Sequence, residues 1–220
     1  MAIPMADDLA ATHKLNAWLS PAYPVGGFAY SHGLEFAISN GDVRDAATFA
    51  DWVADVLLLG SGRNDAILLC HAYRAATDGA LQDIADLACA LAPSRERLLE
   101  TTAQGQAFSR TTRAVWPPEL PDLPYPVAIG SAAHLHGIDL SLTLNLYLHS
   151  FMSNIIQAGV RFIPLGQTDG QRILAAQFPA ITELAEQAVT LSLDDLGSSA
   201  FRADMASMQH ETMATRIFRS

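Results

Sequence analysis

The chain has 220 residues, half of them hydrophobic, with 23 acidic against 13 basic side chains and a formal charge of −10. Such a surface repels phosphate backbones and anionic membranes, which argues against nucleic acid and lipid and in favour of a basic protein partner. Cys70 and Cys89 are too few for a disulfide framework, and Met1 to Leu9 carries Asp7 and Asp8 with no apolar leader core, so a reducing cytoplasm is expected. The length suits one domain over residues 1–220, burying roughly 70% of its extended surface. No apolar run is long enough to cross a bilayer. The high apolar content fits either a large core or apolar surface that needs a partner.

In chain order, residues 6–19 read as a helix with Leu9, Leu15, Trp18 and Leu19 as its apolar positions, ending before Pro21. A turn rich in Pro and Gly leads into a second helix, expected from about Phe28 to Asn40 and stopped by Gly41. Asp45 can cap a third, whose stripe is Phe49, Trp52, Val53, Val56 and Leu57 and which reaches Gly60-Ser61-Gly62. Asn64 or Asp65 opens a fourth that stops near Gly79, and Leu81 to Leu91 is a short amphipathic segment closed by Pro93. Ser94 caps a long helix through Leu98, Leu99, Ala103, Phe108 and Val115. Trp116 to Pro126 holds five prolines in eleven residues and is a rigid connector. A small-residue helix follows from Val127 to Gly137.

Leu140, Leu142, Leu144, Leu146 and Leu148 alternate with polar residues at the period of a strand. A helix is nevertheless expected here, central and buried, because leucine favours helix and no second strand-like run exists to pair with this one. Thr168 and Gln171 fit a capping box for a helix with Leu174, Phe178, Ile181, Leu184 and Ala188 as its stripe. Ser198 or Ser199 caps the last helix, with Phe201, Met205 and Met208 at helical spacing. The whole reads as an all-α, single-domain bundle of about nine or ten helices, without a repeat that would make it a solenoid.

The chemistry-bearing candidates are few. Ala29-Tyr30-Ser31-His32-Gly33 resembles a nucleophile elbow centred on Ser31, but that motif needs a strand before it and Pro21 to Gly27 is too rich in proline to be one. The competing reading is that Ser31 hydrogen-bonds the first turn of its helix and His32 is a partly exposed polar residue. Lys14, the only lysine, lies in no phosphate-loop context, so the chain is not expected to hydrolyse GTP by itself. His210-Glu211 begins like a zinc-protease motif, but Ala214 stands where the second histidine would be. His134 with His136, and Cys70 with His71, diverge on a helix. No metal site is expected, and structural or solvated roles account for these histidines. The alternative is a labile nickel site shared across a dimer, since borderline donors such as His and Cys suit Ni²⁺. Past Met208 the chain keeps Met213, Ile217 and Phe218 between Arg216 and Arg219, the composition either of an interface hot spot or of a segment docked on its own core.

Three stretches together resemble a known family. Pro21 to Glu35, with its Pro-x-Gly turn followed by an aromatic, a Ser and Gly33-Leu34-Glu35, is similar to the signature of the urease accessory protein UreF family. So are Pro164-Leu165-Gly166-Gln167-Thr168-Asp169-Gly170-Gln171 and the C-terminal Met208-Gln209-His210-Glu211-Thr212 with Arg216 to Ser220. The chain departs from the family pattern at Ala214, where relatives commonly carry an aromatic, and at Tyr23, in place of Phe. The resemblance implies a non-enzymatic homodimer that needs no cofactor of its own. It implies assembly with a UreD (UreH)-type accessory protein and a UreG-type GTPase, in a complex through which Ni²⁺ passes on its way to apo-urease. It further implies that partners are met through Phe28, Tyr30, Ser31, His32 and Glu35 in the turn, through Gln167 and Gln171, and through His210, Glu211, Arg216, Phe218 and Arg219 in a tail spanning 208–220.

Overall fold

The computed structural model describes residues 5–219. Its helices are α1 (Met5–Trp18), α2 (Leu34–Ser39), α3 (Ala46–Leu58), α4 (Ser61–Arg74), α5 (Asp78–Ala90), α6 (Arg95–Val115), α7 (Tyr125–Leu135), α8 (Leu140–Val160), α9 (Gln167–Ala176), α10 (Phe178–Ala188) and α11 (Phe201–His210). Single 3-10 turns occupy Gly27–Ala29 and Leu193–Asp195, and no strand occurs among the described residues. The leucine-alternating stretch is helix α8, as expected, but only part of it is central. Leu144 and Leu148 are fully buried, whereas Leu140, Leu142 and Leu146 are half-buried at its edge.

The core lies where α4, α7, α8 and α10 meet. α7 is built from small buried residues, and its Gly130 faces α4 so closely that a Cβ there would run into the Leu69 carbonyl oxygen. Removing side-chain bulk lets two backbones approach and pack their flanking residues at interior density. Phe49, Ile67, Leu69, Ile129, Leu148 and Ile156 are among the core side chains that expose no surface.

Several boundaries differ from the sequence expectation, each for a local reason. α2 starts at Leu34, not Phe28, because Tyr30 is extended and His32 and Gly33 have φ of 54° and 75°, which interrupts any helix. α4 starts at Ser61, not at Asn64 or Asp65, so Gly60-Ser61-Gly62 is the joint into a helix and not a gap after one. It ends at Arg74 because Thr77 caps α5, its hydroxyl accepting from the Ala80 amide at 3.2 Å. α7 begins at Tyr125, since Pro126 in a first turn costs no hydrogen bond. The helix expected from Thr168 to Ala188 is two, α9 and α10, broken at Gln177 ahead of Pro179. α9 is capped by Asp169 accepting from the Gly166 amide at 3.3 Å, not by Thr168 and Gln171. Ala200, not Ser198 or Ser199, precedes the last helix, and the Ser198 hydroxyl bonds Asp204 at 2.6 Å. The Asp45 and Ser94 caps and the Gly41 stop are as expected.

Candidate functional site

Helix α6 packs inside out. Its residues Glu96, Arg97, Glu100, Thr101 and Gln104 are buried, while Leu98 and Leu99 are 38% and 53% exposed. The polar residues recur at i, i+1, i+4, i+5 and i+8, one continuous face of the helix. α11 does the same: Ala203, Ala206, Ser207 and His210 are buried, while Phe201, Met205 and Met208 are 67%, 55% and 49% exposed. The two buried faces meet, with Ser94 and Ser207 hydroxyls 2.7 Å apart, and the turn and the C-terminal tail fill the seam between them.

Gly33 makes the close approach possible. Its positive φ turns the chain into α2, and a Cβ on it would lie 2.6 Å from the Ser207 amide nitrogen on α11. That turn lowers Glu35 into the seam, where it accepts the Ile217 and Phe218 amides, both at 2.9 Å. A second oxygen pair closes on His210, which exposes no surface: Nε2 lies 3.2 Å from Glu35 Oε2 and Nδ1 lies 2.7 Å from Glu96 Oε2. Arg216 donates to the other Glu96 oxygen at 2.6 Å. The Phe218 ring is buried against Phe162, centroids 5.0 Å apart, and the Arg219 amide donates to the Ala29 carbonyl at 2.8 Å. The Arg219 side chain also hydrogen-bonds Tyr30. The Glu211 carboxylate accepts from the Arg95 backbone amide and from the Arg95 guanidinium Nε, both at 2.8 Å.

A second polar group lies deeper. His32 meets Glu100 at 3.1 Å, with the Arg97 guanidinium bound to the same carboxylate. Asp65 on α4 accepts from the Tyr147 hydroxyl at 2.8 Å. Burial opposes charge on Glu100, but Arg97 and His32 outweigh it and hold its carboxyl down at about 2. For Asp65 burial wins over the neighbouring Arg97, and its carboxyl is raised. Burial lifts the Tyr147 phenol well up, with Asp65 adding to it. Tyr30, His32, Asp65, Arg97, Glu100 and Tyr147 line a cleft with about 30 Å³ of water-sized space. That is room for one or two water molecules.

The structure therefore gathers Tyr30, Glu35, His210, Arg216, Phe218 and Arg219 in one seam, with Ser31 and His32 beside it. His32 is buried, where the sequence suggested partial exposure, because Gly33 turns it inward onto Glu100. Ser31 is fully buried and its hydroxyl accepts from the Glu35 amide at 3.4 Å, the helix-turn role, with no strand to make an elbow. Phe28 stands outside, 63% exposed, and Gln167 and Gln171 are exposed on α9, so these three are surface positions. Phe162, which packs on Phe218, lies two residues before the middle motif and outside it. Glu96, Arg97, Glu100, Asp65 and Tyr147 escaped the sequence reading. The only signal was the helical spacing of the α6 polar residues, which reads equally as a solvated face. At Tyr23 the extra hydroxyl is used, 2.9 Å from that of Thr112.

Among the described residues no group of three or more His, Cys, Asp or Glu is arranged to hold a metal ion. His71 lies 3.1 Å from the Leu191 carbonyl oxygen, His136 pairs with Lys14 at 3.2 Å, and burial pushes the Cys70 thiol up to about 11. No described helix is long and apolar enough to cross a membrane.

Fold and site together define an all-α protein that buries a charged seam beneath its own C-terminus and displays apolar side chains on the helices above it. The family model for UreF matches residues 43–177. The chain is 53% identical to the urease accessory protein UreF of Bradyrhizobium sp. strain BTAi1, covering 97% of this chain and 93% of the relative. It is 51% identical to the protein of that name from Bradyrhizobium diazoefficiens, over 98% of this chain and 94% of the relative. With the one from Cereibacter sphaeroides it is 54% identical, over 96% and 99%. The chain belongs to the UreF family of urease accessory proteins.

Proposed function

We propose that this chain is a non-catalytic scaffold of urease maturation. It joins a UreD (UreH)-type accessory protein and a UreG-type GTPase in the cytoplasm, as a homodimer, to form the complex that inserts nickel into apo-urease at the expense of GTP. Nickel is cargo in this reading, and the chain needs no cofactor of its own. The observation that carries it is full-length similarity, at about half identity, to proteins named urease accessory protein UreF. The inside-out packing supports an interaction role, since Leu98, Leu99, Phe201, Met205 and Met208 are held outward by a polar seam that fixes which face each helix shows. The scaffold would bias the GTPase by binding one of its nucleotide states more tightly than the other.

The test is co-expression of the tagged chain with the UreD-type and UreG-type proteins of the same operon, followed by pull-down and sizing. Wild type should retain both partners, and the Phe201→Ser/Met205→Ser double variant should lose one or both. Absence of both partners from the wild-type preparation would overturn the assembly role. Retention by the double variant would leave that role standing and move the contact off α11. Truncation after Ser207 is a poor probe, because it removes His210 and leaves Glu35 and Glu96 buried without their partner.

A further inference from the structure

We infer that Asn40 is a modification site, where the chain deamidates spontaneously through a succinimide and thereby loosens the end of α2. Asn40-Gly41 is the only Asn-Gly step in the sequence. Asn40, Gly41 and Asp42 are all exposed, while Val43 after them is buried. The reaction requires the Gly41 backbone nitrogen to reach the Asn40 carboxamide carbon. Gly41 has no Cβ to obstruct that approach, and the place a Cβ would take has no atom within 4 Å, so a five-membered ring has room to form. The other asparagines are followed by Ala17, Asp65, Leu146 and Ile155, all of which put a Cβ beside the attacking nitrogen. In the reaction the Gly41 nitrogen bonds to Cγ of Asn40, its proton leaves with the carboxamide nitrogen as ammonia, and solvent water then opens the ring. Opening at Cγ yields aspartate. Opening at the main-chain carbonyl yields isoaspartate, which routes the backbone through Cβ and lengthens it by one carbon.

The native turn is built against both products. The Gly41 amide donates to the Ile38 carbonyl at 3.1 Å and the Asp42 amide to the Ala37 carbonyl at 2.9 Å, the paired bonds that end a helix on a left-handed residue, here Gly41 with φ of 83°. The Asn40 carboxamide donates to Asp42 at 2.8 Å. Aspartate at position 40 replaces that donor by a second carboxylate, at a helix end where negative charge is disfavoured. Isoaspartate shifts the register of both backbone bonds. α2 has six residues, less than two turns, and its Glu35 holds the Ile217 and Phe218 amides, so damage at its end reaches the residue that grips the tail. The native turn also sets the rate. With φ of −81° and ψ of −9°, Asn40 turns the Gly41 nitrogen away from Cγ, and the proton on that nitrogen is engaged with Ile38. Reaction therefore proceeds from the opened turn, in proportion to the fraction of molecules that are open. The site is a property of the chain alone and does not rest on the role in urease maturation.

The test ages the full chain at neutral pH for weeks, beside a synthetic peptide of residues 36–46 as the fully open reference. Digested samples are weighed by mass spectrometry, isoaspartate is detected by enzymatic methylation, and exchange of the Gly41 amide is followed on fresh protein. The Asn40 peptide should gain about one dalton ahead of every other asparagine peptide, with isoaspartate accumulating. Its slowing relative to the free peptide should equal the protection factor of the Gly41 amide. Asn40→Ser should show no such gain, and Asn40→Asp, which imitates one product, should melt a few degrees below wild type. An Asn40 that stays intact beyond the time set by that protection factor, or another asparagine modified first, would overturn the site. An Asn40→Asp chain that melts with the wild type would overturn the loosening of α2. Ageing of the wild type decides the site even where a variant fails to fold.

Discussion

α3 and α8 bury apolar faces, whereas the first half of α6 buries its polar face and α11 buries a face of small residues with Ser207 and His210. In α3, Phe49, Trp52, Val53, Val56 and Leu57 all face inward. In α6, Leu98 and Leu99 face outward and Glu96, Arg97 and Glu100 face inward. The first arrangement is held by removal of apolar surface from water, which is non-directional and tolerates repacking. The second is held by charge-assisted hydrogen bonds whose partners come from four separate segments: α2, α4, α11 and the tail. It is stable only when every partner is present, because a lone buried charge is expensive. One molecule thus has a forgiving half and an exacting half, and the exacting half carries the family's signature residues.

The contrast is most sharply tested at Arg97. Arg97→Met leaves Glu100 and Asp65 facing each other without their cation, and the loss should be about 3–5 kcal/mol of unfolding free energy in urea titrations. A loss under about 1 kcal/mol would mean that the seam is not held by charge, and the distinction between the two halves would fail. Phe218→Ala comes next, at about 3 kcal/mol by the same measurement, because its ring is buried against Phe162. This places Phe218 among the groups that hold the fold, so loss of partner binding in that variant would not by itself show a partner contact. A near-neutral result would show that the tail rests on the seam through backbone contacts alone.

Acid should separate the halves as well. The Glu100 carboxyl is held from its ordinary 4.5 down to about 2, so its contribution is complete above the ordinary value and is lost as pH falls towards 2. That contribution is on the order of 3 kcal/mol. Asp65, raised by burial, works in the opposite sense and regains stability as it protonates. The Glu100 part is therefore read as the gap between wild type and Glu100→Gln, which should close between pH 6 and pH 2. A gap that stays constant with pH would remove Glu100 from the charged network. The smallest effect belongs to the outward face: Met205→Ala, more than half exposed, should change stability by no more than about 0.5 kcal/mol in thermal melts. A larger change would show that α11's outer face is packed against this chain itself.

Helix content, the α8 assignment, the caps at Asp45 and Ser94 and the stop at Gly41 were legible because each rests on local chemistry: propensity, side-chain acceptors near free amides, positive φ. Boundaries failed where a tertiary contact overruled the local pattern, as at Gly33, whose turn is fixed by α11, and at Ser61, where a Gly-rich joint opens a helix that composition read as ended. The site was legible as residues and not as an arrangement. Ser31, His32, Glu35, His210 and Arg216 stood out by motif, and His32 was expected to be partly exposed, because ionisable side chains are rarely buried unless paired. The partners that permit burial are far apart along the chain, Glu96 114 residues from His210, Arg97 65 from His32 and Asp65 82 from Tyr147, and no periodicity connects them.

The sequence by itself determined an acidic all-α chain with an apolar excess and three family motifs, since composition, propensity and short-range capping act within a few residues. Tertiary structure alone decided which face of α6 and of α11 is inside. For α3 apolar periodicity and burial coincide, and the stripe predicts the core, whereas in α8 only Leu144 and Leu148 of the alternating leucines are buried. For α6 a set of mutually compensating charges drawn from distant segments made the polar face the buried one and turned Leu98 and Leu99 outward, and α11 packs on it through Ala203, Ala206, Ser207 and His210 with Phe201, Met205 and Met208 outward. Desolvation of charge is overcome only by complementary charge at hydrogen-bonding distance, and that distance exists only in the folded chain.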